Sequence, residues 1–76
     1  MSSDDIDPDA LAWVRRYAGA LGLPQPDAAE FGDLLALAAH AAHASHRQAA
    51  PAACWLAAKA GIPPAEALER AQALDT

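Results

Sequence analysis

Alanine occupies 23 of the 76 positions, and no other feature limits the fold of this chain as tightly. Alanine is the strongest helix former and lets helices approach closely, but each residue removes little area from water. The apolar fraction of 54% therefore overstates the core, because only 18 of those residues, Met1 included, are larger than alanine. A chain of this length hides only about 60% of its unfolded surface. The expected fold is all-α, a bundle of tightly spaced short helices, with part of the apolar face completed by a partner. No alternating β-branched run and no internal repeat opposes that reading.

The helix signals divide the chain into an acidic, frayed N-terminus over 1–6 and a single helical domain over 7–76 with four helices. Asp7-Pro8-Asp9 opens the first helix, with Asp7 as cap and Pro8 in the first turn. Its stripe is Ala10, Leu11, Val14, Tyr17, Ala18 and Leu21, with Arg15 and Arg16 pointing away and Gly22 as the stop. After Pro24-Gln25-Pro26, Asp27-Ala28-Ala29-Glu30 matches a capping box. The helix it opens is predicted to run to about His46. Phe31, Leu34, Leu35, Ala38, Ala41, Ala42 and Ser45 form its buried stripe, with His40 and Arg47 opposite. A short helix from about Pro51 to Ala60, ended by Gly61, is apolar nearly all round and is expected to be the most buried. Ile62-Pro63-Pro64 starts the fourth helix, with Ala67, Leu68, Ala71 and Leu74 inward and Glu66–Arg70 as an exposed i,i+4 pair.

Charge and cysteine count narrow the function classes. Net charge is −5 and the isoelectric point about 4.8. Only five Lys and Arg are present and they are scattered, which disfavours a phosphate-backbone footprint. The Gly61–Pro64 corner suggests a helix-turn-helix-like nucleic-acid binder, and the acidic balance argues against it. Cys54, the lone cysteine, allows no internal disulfide and reads as a buried, inert thiol. No apolar run reaches membrane-spanning length and no leader-like segment heads the chain, so a cytoplasmic protein without membrane contact is expected.

The candidate contact residues concentrate in His40–Pro51. His40, His43 and His46 are spaced by three and fan over about 120°, so they do not converge on one ion, and no metal or other cofactor is expected. His43 and Arg47, four apart, share a helix face and form a candidate anion or cofactor-phosphate site. The alternative is structural: Arg47, near the end of the second helix, reaches its open carbonyls or a neighbouring acid. Trp13, at the edge of the first stripe, is a further candidate for partner contact. No catalytic set is complete, so no enzyme activity is expected.

The run Asp33-Leu34-Leu35-Ala36-Leu37-Ala38, then His43, Arg47, Ala49-Ala50-Pro51 and Trp55-Leu56-Ala57-Ala58, resembles a small actinobacterial all-helical family of unknown function. That family shows a His-x-x-x-Arg-Pro-Ala-Ala-Pro signature. Here Gln48 stands at its first proline, and Ala52 and Ala53 stand where hydroxyl residues are usual. Family members are often fused to, or encoded beside, molybdenum-cofactor guanylyltransferase-like proteins. The resemblance implies a non-enzymatic accessory or protein-interaction module in molybdenum-cofactor biosynthesis or insertion, with such a protein as partner. The composition also leaves room for a homo-oligomer.

Overall fold

The computed structural model describes residues 6–76. It shows four helices and, among the described residues, no strand: α1 Pro8–Ala20, α2 Ala28–Ala44, α3 Ala49–Ala60 and α4 Pro64–Leu74. The expected acidic terminus lies almost wholly outside the described residues. The chain divides into two compact units, Met1–Gly32 and Asp33–Thr76.

The first unit carries α1, its connector and the opening turn of α2. The Asp7 carboxylate accepts from the amides of Asp9 at 2.8 Å and Ala10 at 3.4 Å, which caps α1. At the other end Gly22 takes φ +72°. Its amide donates to Gly19 O, and that of Leu23 donates to Ala18 O, so two of the helix's open carbonyls are satisfied by one glycine stop. Arg15 was expected to point away. It folds instead onto the connector, where Nε donates to Pro26 O at 3.0 Å. The capping box forms as predicted: Glu30 N donates to Asp27 Oδ1 at 2.8 Å, and Asp27 N to Glu30 Oε1 at 3.0 Å. Ala18 and Phe31 are the buried apolar residues of this unit. Tyr17 and Leu21, both assigned to the α1 stripe, are exposed.

The second unit holds the rest of α2 with α3 and α4. Leu37 and Ala67 are its buried residues, so burial falls on α2 and α4. The expectation that the third helix is the most buried is corrected: α3 has no buried residue, and Trp55 and Leu56 face outward. Seven of its twelve residues are alanine, and apolar character supplied by alanine does not mark a core-facing side. Ala53, Cys54 and Ala57 form its half-buried side, and the large side chains are left over. The α2 stripe is likewise corrected. Leu37, outside the predicted stripe, is the most buried residue, whereas Leu35 and Ser45 are exposed. Between Asp33 and His40 no polar side chain marks a solvent face, so periodicity alone cannot orient the helix.

The α2–α3 corner also differs from expectation. α2 ends at Ala44, two residues early, and α3 begins at Ala49, two residues before Pro51. Ala49 N donates to His46 O and Ala50 N to Arg47 O, two tight turns that launch α3. Pro51 is thus the third helical residue. The first four amides of a helix have no acceptor within it, so the missing N–H removes no bond. Glu66 and Arg70 pair at 2.6 Å on the exposed side of α4, as the spacing predicts.

Candidate docking groove

Three helix ends of the second unit enclose a half-open groove of about 300 Å³. Its walls are Leu56, Leu74 and six alanines, and its polar rim is His40, Ser45 and Asp75. Leu74, expected inward on the α4 stripe, is instead 83% exposed at the helix end, and Leu56 is 57% exposed. Alanine walls keep the helices close and leave space where a larger residue would have closed the gap.

His40 braces the rim. Both of its acceptors face Nε2: Asp75 Oδ2 at 2.6 Å and Ala71 O at 3.2 Å. Nε2 therefore carries the hydrogen and donates to both. The contact sets the C-terminal end of α2 beside that of α4. Asp75 itself caps α4, whose last turn carries no basic residue, so a carboxylate sits at the negative end of a helix dipole. The N-terminal end of α3 meets the groove on the side of Ala49.

The sequence-derived candidates are not brought together. His40, placed opposite the core by its spacing, is half-buried and committed to α4. His43 lies exposed in the last turn of α2. Arg47 lies exposed in the corner, three residues beyond the end of α2, so the helical face it was expected to share with His43 is interrupted. Among the described residues neither side chain makes a hydrogen bond or ion pair, and Arg47 does not reach the open carbonyls or an acid. His46 is occupied locally, accepting from Gln48 N at 3.2 Å through Nδ1. Trp13 belongs to the other unit, where it stacks on Tyr17 with centroids 5.4 Å apart.

Asp75, Leu56 and Leu74 are the groove residues that sequence reasoning passed over as contacts. The available signal was an acid directly after a helix whose last turn holds no cation.

Among the described residues no hydrogen bond joins Ser45 to His40. Cys54 opens on a separate cavity of about 220 Å³ beside Leu34 and Ile62. Burial pushes its thiol up from the ordinary value, which keeps it protonated near neutrality. No group of three or more His, Cys, Asp or Glu among the described residues converges to hold a metal. No helix among them is long and apolar enough to cross a membrane. Compared with family models, curated proteins and solved structures, the chain matches none.

Proposed function

We propose that the protein is a non-catalytic protein-interaction module that docks a partner on the α2–α3–α4 groove. The observation that carries this reading is the placement of Leu74, 83% exposed, on the wall of an apolar groove. Leu56 shares that groove, and Trp55 is exposed on the same helix. Isolated exposed leucines are ordinary on a protein surface, but a contiguous apolar patch with a polar rim is the anatomy of an interface. The thiol of Cys54, held protonated by burial, supports the non-catalytic part of the reading.

The family resemblance supplies the first partner to test, a molybdenum-cofactor guanylyltransferase-like protein. Calorimetric titration of that protein with the wild-type chain and with Leu56→Ser and Leu74→Ser is the direct experiment. Removing a fully enclosed leucine costs about 1.5–3 kcal/mol, so each variant is expected to weaken the complex by about tenfold or more. Both variants are expected to keep the wild-type melting temperature, because the side chains are exposed in the free protein. A complex unaffected by either substitution refutes docking on this groove.

A further inference from the structure

We infer that the groove is built for a cationic partner segment, one whose apolar anchor enters between Leu56 and Leu74 while an adjacent lysine or arginine meets Asp75. The inference rests on the reading of the groove as a docking surface and adds the chemistry of the occupant.

Three observations point to positive charge. The C-terminal ends of α2 and α4 lie together at the rim, as the His40 bonds to Ala71 O and Asp75 require. Both helix dipoles therefore present their negative ends there. Asp75 adds a carboxylate at the very end of α4, where a cation is the favoured occupant and the last turn supplies none. One oxygen of that carboxylate accepts from His40. The other, among the described residues, accepts from nothing. Among the groove's lining residues the titratable ones are Asp75 and His40; His43 stands in the last turn of α2, and Arg70, on an adjoining cavity that shares Ala53, Leu56 and Ala71, is paired with Glu66. The α3 N-terminus also opens on the groove, beside Ala49, so the cation belongs at the Asp75 carboxylate.

The anchor follows from the walls. The groove is lined by apolar atoms except at its rim, and its volume of about 300 Å³ admits a leucine-sized side chain and its neighbours rather than a whole helix. A partner helix lying across the opening would insert one face, with a basic residue one turn beyond the anchor.

Two synthetic, fluorescently labelled helical peptides test this. Both carry leucines at i and i+4, and they differ only in having Lys or Glu one turn further on. Anisotropy titrations are run at low and high salt against the wild-type chain and against Asp75→Asn, which retains a side-chain acceptor for His40. The lysine peptide is expected to bind about tenfold more tightly than its glutamate twin, from one partly exposed ion pair together with the helix ends. High salt should shrink that advantage, and Asp75→Asn should remove most of it. Methyl resonances of Leu56 and Leu74 should shift on binding.

Equal affinity for the two peptides, with those methyls still shifting, overturns the cation inference and leaves docking on the groove intact. Failure of both peptides to bind overturns the docking reading and the inference with it. A lysine preference that survives both Asp75→Asn and high salt overturns the assignment to Asp75.

Discussion

Replacing His40 by alanine is the most direct measure of how the end of α4 is held. The substitution removes two bonds from one nitrogen and leaves Asp75 unanswered at the negative end of a helix. A hydrogen bond to a charged group contributes about 1.5–3 kcal/mol when enclosed, and exposed ion pairs about 0.2–1 kcal/mol. The side chains are 25% and 41% exposed, which places this bond toward the lower range, at about 1 kcal/mol. The part-buried bond to Ala71 O adds about 0.5–1 kcal/mol. A loss of about 1.5–2 kcal/mol lowers the melting temperature by about 6–16 °C in a domain of this size. Thermal and urea melts of His40→Ala, Asp75→Ala and the double variant separate the terms. The pair accounts for about 1 kcal/mol of coupling, and the remainder belongs to the bond to Ala71. Hydrogen exchange should quicken at the amides of the last α4 turn in His40→Ala. A melting temperature unchanged within error, with no quickening there, would show that His40 does not brace α4 and is free for another role.

Asp27→Ala deletes one half of the capping box and is expected to cost about 1 kcal/mol by urea unfolding, with Glu30→Ala non-additive in the double variant. Arg47→Ala is expected to change stability by less than about 0.5 kcal/mol, since the side chain is exposed and makes no bond among the described residues; a larger loss in thermal melts would restore the helix-end role that its position suggested. The Cys54 thiol, pushed up by burial, should react with a disulfide reagent more slowly than free cysteine at neutral pH. Its rate should keep rising at pH values where that of free cysteine has levelled off, because the thiolate appears only above the raised value. A rate equal to that of free cysteine at neutral pH would contradict this.

What could be read from the sequence is what depends on contacts within about one helical turn. The caps at Asp7 and Asp27, the stops at Gly22 and Gly61, the start at Pro64 and the Glu66–Arg70 pair each rest on residues at most a few positions apart. The facing of α2 and α3 could not be read in the same way. Where alanine fills most positions, every side of a helix looks equally apolar, and the choice falls to packing between distant segments. Leu37 therefore won burial over Leu35, and α3 turned Trp55 and Leu56 outward. The groove was hidden for a related reason. Its polar anchor joins His40 to Asp75 across 35 positions, and a helix wheel drawn for either residue alone places it toward solvent. The histidine spacing singles out the right helix but points to His43 and Arg47. The corner at Ser45 removed the regular geometry on which that pairing depended.

The distribution of indoles has a spectroscopic consequence. Trp13 lies in the first compact unit, stacked on Tyr17, and Trp55 lies in the second, with the Lys59 ammonium 4.8 Å from its ring centroid. Each unit thus carries its own optical reporter in a chemically distinct setting, one beside a phenol and the other beneath a cation. With Trp13→Phe or Trp55→Phe, the emission of the remaining indole follows one unit alone. The two traces would superimpose if the chain melts in a single cooperative step and would separate if one half loosens first.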